Sequence, residues 1–228
     1  MKCLAVLITL ALATGCASAT TTTPSTNPLP RERGRGQGEG VASRANLPTL
    51  EHERVDYWVD RFTNGDKRTE IDAAFARKPD VEGFITEELR RRGMPEDLLY
   101  LAMAESGLNP EAHSVANAVG IWQLVPDTAR RWGLTVNDTV DDRRDLQKST
   151  TAALSYLSYL YNRFGSWYLA AAAYNAGENR VSRIMTEVTG AESGRDADYY
   201  RIWDQLPGET RDYVPAMVAL ARIGRERS

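Results

Sequence analysis

Residues 100–114, YLAMAESGLNPEAHS, carry an apolar helical run into a glutamate and then break it with Gly107, Asn109 and Pro110. Upstream, Pro95 suits the first turn of a helix, where its missing N–H is no loss. Glu96 and Asp97 add negative charge at the positive end of the helix dipole. A helix is expected from there to about Ser106, with Leu98, Leu101 and Ala102 on one stripe. The next member of that stripe is Glu105. Its carboxyl group continues an inward-facing row and falls in the last turn, where unpaired carbonyls disfavour a second negative charge. Burial and the dipole both push such a group towards holding a proton near neutral pH, which is what a general acid requires. The same pattern describes a core-edge glutamate paired with one of the chain's arginines, and on pattern alone both readings stand.

Working outward, Val55, Trp58, Val59 and Phe62 recur at helical spacing before a stop at Asn64-Gly65. Val81, Phe84, Ile85 and Leu89 form a second apolar face, followed by three arginines and Gly93, which suits the negative end of a helix. Residues 149–165, 166–177 and 206–223 are rich in alanine and leucine, with glycine or proline at their ends. There is no credible alternating strand, fixed-period repeat or glycine-rich phosphate loop, so an all-α domain is expected over residues 49–228. Asp141, Asp142 and Asp145 are expected to start helices and form ion pairs. The 187–200 stretch is a candidate for a loop that closes over a binding groove.

The whole chain has 228 residues, 42% of them hydrophobic, enough for one packed domain plus a leader and linker. With 28 basic and 31 acidic residues its net charge is -3, which does not favour a nucleic-acid partner. His52 and His113 lie at no ligand spacing, so neither a metal nor a cofactor is expected. The N-terminus, MKCLAVLITLALATGCASA, has one lysine, a short apolar run and small residues, the layout of a secretory signal over residues 1–15. Ala13-Thr14-Gly15-Cys16 resembles a bacterial lipobox, which implies a lipidated Cys16 and attachment to a membrane. Ala17 suggests outer-membrane sorting in lipoproteins of that kind. Residues 16–48 are dense in Thr, Pro and Gly and read as a flexible tether, since they bury too little surface to offset ordering entropy.

Four blocks in order, AESGLNPEAHSVANAVGIWQLVPDTARRWGL, DDRRDLQKSTTAALSYLSYLY, LAAAAYNAGENRV and LPGETRDYVPAMVALARI, resemble the lytic transglycosylases of the soluble-type (SLT) superfamily, most of all the membrane-bound lytic murein transglycosylase D group. The resemblance covers roughly residues 50–225. It implies a goose-type-lysozyme-like helical domain that takes peptidoglycan glycan strands and cuts the β-1,4 bond between N-acetylmuramic acid and N-acetylglucosamine. It further implies that Glu105 is the acid and then the base, and that the product carries a 1,6-anhydromuramoyl end. By the same resemblance Ser114, Gln123, Tyr174, Asn175 and Tyr213 contact substrate or the glutamate, while Trp122 and Val125 line the groove.

Two rivals follow from the same residues. A lysozyme-like muramidase would use a similar glutamate with a positioned water and a second carboxylate, for which Asp127 and Asp145 are candidates. A non-catalytic lipoprotein would bind glycan strands without cutting them.

Overall fold

In a computed structural model that describes residues 46–48 and 50–227, the helical patterns become nine α-helices, and no strand forms among the described residues. The expected signal segment, the lipidated Cys16 and the tether up to residue 45 lie outside the described residues. The last residues expected in the tether pack on the domain instead: Leu47 is buried in the core and its N–H donates to Asp97 Oδ2 at 2.9 Å. No described helix is long and apolar enough to cross a membrane.

α1 (Glu53–Thr63) starts at His52, whose ring nitrogen accepts the Arg54 N–H at 3.1 Å, and it buries Val55, Trp58 and Phe62. α2 (Arg68–Arg91) starts well before the apolar face read from Val81 to Leu89 and runs through Pro79. Its first half buries only Ile71 and Ala74, too sparse a stripe to be legible, and a proline ordinarily argues for a break. The 3₁₀ turn Glu96–Leu98 then leads into α3 (Leu99–Ser106). Gly107 stops α3 in the left-handed region, φ 61°, and its N–H donates to the Met103 carbonyl.

α3 is more deeply buried than its one-sided pattern suggests. Every residue of this helix except Glu105 is buried, because it runs through the middle of the domain with α9 (Gly208–Arg227) packed along it. The loop that follows leads to α4 (Pro126–Arg131), and a 3₁₀ turn at Asp142–Arg144 leads to α5 (Leu146–Phe164). Asp145 caps α5 by accepting the Lys148 N–H, while Asp141 and Asp142 pair with Arg143 and Lys148. α6 (Trp167–Ala176) is capped by Ser166, and its fully buried alanines, Ala170 to Ala173, let it pack closely on α5 and α9.

The stretch from 187 to 200 is not one loop. α7 (Glu178–Thr189) reaches into it and α8 (Asp196–Ile202) begins inside it, leaving only a short connection. That connection is tied to the end of α5 by the Gly194 N–H donating to the Phe164 carbonyl and by the Arg163–Glu192 ion pair. It lies away from the cleft described next and does not close it.

Candidate active site

Glu105 is the one residue of α3 that is not buried, and it faces a cleft of about 340 Å³. One wall of the cleft is the loop between α3 and α4, represented by Ser114, Gln123, Leu124 and Val125. The other consists of the end of α6, with Tyr174 and Asn175, and the first turns of α9, with Glu209 and Tyr213. Helix packing thus gathers residues more than a hundred positions apart in the chain around one carboxyl group.

The Tyr213 hydroxyl donates to Glu105 Oε1 at 2.6 Å. A donor of this kind stabilises the ionised carboxylate, so it works against burial. Burial prevails: the Glu105 carboxyl is pushed up to about 8, the Tyr213 hydrogen bond pulling down and the charge of Glu209 pushing further up. Glu105 is therefore a proton donor at neutral pH. Burial, followed by the neighbouring Glu105, holds the Tyr213 and Tyr174 phenols well above their ordinary range, so both stay protonated.

The loop wall is tied to α3 and α6 by hydrogen bonds from distant residues. The Ser106 hydroxyl, at the end of α3, donates to the Ile121 carbonyl at 2.8 Å, and the Tyr174 hydroxyl donates to the Trp122 carbonyl at 2.7 Å. Directly after these two fixed points Gln123 sits at φ 46°, a strained backbone for a non-glycine residue. Its amide N–H donors are spent on protein: Nε2 donates to the Gly120 and Ala112 carbonyls at 2.8 and 3.3 Å. Its Oε1 is buried and has no hydrogen-bond partner among the described residues, an acceptor left at the cleft wall. Ser114 accepts the Ala118 N–H at 3.0 Å, which leaves its O–H to donate.

Of the residues expected at the site, Glu105, Ser114, Gln123, Val125, Tyr174, Asn175 and Tyr213 all line this cleft. Trp122 does not, which corrects the expectation that it lines the groove. Its side chain is fully buried and its indole N–H donates to the Thr150 hydroxyl at 2.9 Å, so it anchors the loop from below. Of the acidic residues considered as a second carboxylate, Asp127 is an exposed partner of Arg130 and Asp145 is the α5 cap; neither lines the cleft. The second carboxylate that does is Glu209, which sequence reasoning missed. Its signal was present in the block LPGETRDYVPAMVALARI: Glu209 stands four residues before Tyr213, one helical turn away on the same face.

Residues 82–194 match the family model described as the transglycosylase SLT domain. This stretch of the chain is a transglycosylase SLT domain. Over 141 residues it is 43% identical to membrane-bound lytic murein transglycosylase D of Escherichia coli, a match covering 61% of this chain and 30% of that protein. It is 30% identical over 118 residues to membrane-bound lytic murein transglycosylase C of Actinobacillus succinogenes, covering 46% of this chain and 33% of the relative. The chain thus spans about a third of the length of these relatives. An inactive mutant of the lytic transglycosylase Slt from Pseudomonas aeruginosa has the same fold, with a TM-score of 0.51 at 21% identity over 81% of this chain and 38% of the other. The matched SLT domain contains Glu105, Ser114, Gln123, Tyr174 and Asn175; Glu209 and Tyr213 lie beyond its end and reach the cleft on α9.

Proposed function

We propose that this SLT-domain chain is a peptidoglycan lytic transglycosylase, with Glu105 as its single general acid and base. The observation that supports this most is a glutamate, the one residue of its helix that is not buried, protonated at neutral pH and lining a cleft. The glycan strand lies in the cleft, and Glu105 gives its proton to the glycosidic oxygen between N-acetylmuramic acid and N-acetylglucosamine. The bond from that oxygen to the anomeric carbon breaks. The muramic acid C6 hydroxyl oxygen then bonds to the anomeric carbon, and its proton returns to Glu105, now a carboxylate stabilised by Tyr213. The product is a 1,6-anhydromuramoyl end, and no water enters. Gln123 Oε1 and the Ser114 hydroxyl supply an acceptor and a donor that orient the sugar, and Val125 offers it an apolar edge. On this reading residues 1–15 are a signal peptide, Cys16 carries the lipid, and the segment from Cys16 to about residue 45 tethers the catalytic domain to the outer membrane, facing the periplasm.

Glu209 favours a second reading. A carboxylate beside the acid is what a hydrolase needs to activate water, and its product is a reducing end. Digesting purified sacculi and weighing the muropeptides distinguishes the two. The transglycosylase releases ends lighter by one water and takes up no label from heavy-oxygen water, whereas reducing ends carrying the label would overturn the proposed reaction.

Tyr213→Phe tests the acid-base cycle directly. Losing the phenol removes the bond that favours the Glu105 carboxylate, so Glu105 titrates higher, by about one unit. The alkaline limb of the pH profile for sacculus digestion is expected to move upward, with a fall in rate of about tenfold as the carboxylate form loses support. An unmoved limb would remove Tyr213 from the cycle.

A further inference from the structure

We propose that Glu209 is a positioning partner of Glu105: a fixed negative charge, braced by Asn175 at the head of α9, that keeps the proton on the acid until the glycosidic oxygen takes it. This deepens the reading above and rests on Glu105 being the acid.

The geometry of α9 places the two carboxyl groups together. Glu209 and Tyr213 lie four residues apart on one face of the helix, and the Tyr213 hydroxyl touches Glu105 at 2.6 Å. Glu209 is therefore one turn from that contact, and both carboxyl groups line the same cleft. The titratable groups that face Glu105 are Tyr213 and Glu209 from α9 and Tyr174 from α6. No arginine, lysine or histidine lines the cleft, so two acidic groups meet there without a counter-charge.

The helix ends decide which of the two carries the charge. Glu209 is in the first turn of the 20-residue helix α9, whose positive end favours a carboxylate. Glu105 is in the last turn of α3, whose negative end disfavours one. A brace fixes the charged partner. Asn175 donates through Nδ2 to Glu209 Oε1 at 3.3 Å, and its Oδ1 accepts from the Thr210 hydroxyl at 2.7 Å. Both polar atoms of Asn175 are thus engaged inside the protein, and Thr210 is buried, so the bracket cannot drift into solvent. Burial raises the Glu209 carboxyl and the Asn175 bond lowers it. Two like groups in one cleft titrate as a coupled pair, so a charge on Glu209 makes the ionisation of Glu105 harder.

The experiment is a titration that does not depend on activity. In protein labelled with ¹³C at the glutamate side-chain carboxyl, the Glu105 resonance, assigned by its loss in Glu105→Gln, is followed against pH in wild type, Glu209→Gln and Asn175→Ala. Glu209→Gln removes the charge and keeps the shape, so the Glu105 midpoint is expected to fall by about one unit. Asn175→Ala moves it the same way by less, and serves as the readout if Glu209→Gln does not fold. The alkaline limb of sacculus digestion moves down with the midpoint, opposite to the shift expected for Tyr213→Phe. A Glu105 midpoint unchanged in the folded variants overturns the proposal, whatever happens to the rate. A shifted midpoint in a protein that releases nothing from sacculi leaves the carboxyl pair standing and overturns the transglycosylase reading instead.

Discussion

Glu105→Gln is expected to abolish release of muropeptides from sacculi, lowering the rate by at least about 10³-fold, while the protein stays folded. Glutamine occupies the same space and can still accept the Tyr213 hydroxyl, but it has no proton to deliver to a leaving oxygen. The same variant carries a stability signature whose sign is fixed. The folded-state pKa of Glu105, about 8, lies above the ordinary carboxyl value of 4.5, so between these two pH values the folded state holds a proton that the unfolded state has lost. Wild-type stability therefore falls as pH rises through that window, by an amount on the order of a few kcal/mol. Glu105→Gln lacks this dependence. Its melting temperature, compared with wild type, is expected to gain steadily from pH 5 to pH 8, as followed by circular dichroism. A variant that still cuts sacculi at the wild-type rate would remove Glu105 from the chemistry. Parallel melting curves across the window would mean that the carboxyl is not held protonated.

Glu105 was legible because two local rules collide at its position: helical period points it inward, and helix polarity disfavours its charge. Both rules act within one turn, so one sequence carries them in full. The cleft around it is a product of packing between distant helices, and there local pattern carries less. Ser114, Gln123, Tyr174, Asn175 and Tyr213 came into view through resemblance alone, and the structure gathers them around Glu105. Trp122 went the other way: its neighbours in the sequence carry no record of which face of the loop is floor and which is wall, and burial against Thr150 decides it. Glu209 escaped notice because its proximity to Glu105 arises only from the docking of α9 on α3. Among the helices, α7 buries only Val181, Ile184 and Met185, and α8 spans seven residues. Neither offers a periodic stripe long enough to stand out from the polar residues around it.

Gly120→Ala is expected to be among the most damaging single-methyl additions near the cleft, costing about 3–5 kcal/mol and lowering the melting temperature by roughly 10 °C. Gly120 has φ 80°, where a Cβ is strained whatever space surrounds it. Here there is no space either: a Cβ would stand 2.1 Å from the carbonyl oxygen of Arg143, a backbone atom that cannot swing aside. Arg143 is itself locked. Its guanidinium pairs with Asp141 and donates to the Asn117 and Leu124 carbonyls, so the 3₁₀ turn and the cleft loop are bolted together around the glycine. If the loop gives way instead, it loses the Gly120 N–H bond to Ala112 and the carbonyl that holds the Gln123 side chain, and the cleft wall shifts with it. Sacculus digestion is therefore expected to fall together with stability. Gly133→Ala separates strain from collision. Gly133 has φ 87° but nothing within 4 Å of where its Cβ would lie, so it should cost only about 1 kcal/mol and leave digestion unaffected. Equal melting temperatures for the two variants would mean that backbone strain alone accounts for Gly120, and that the close approach to Arg143 does not hold the cleft loop in place.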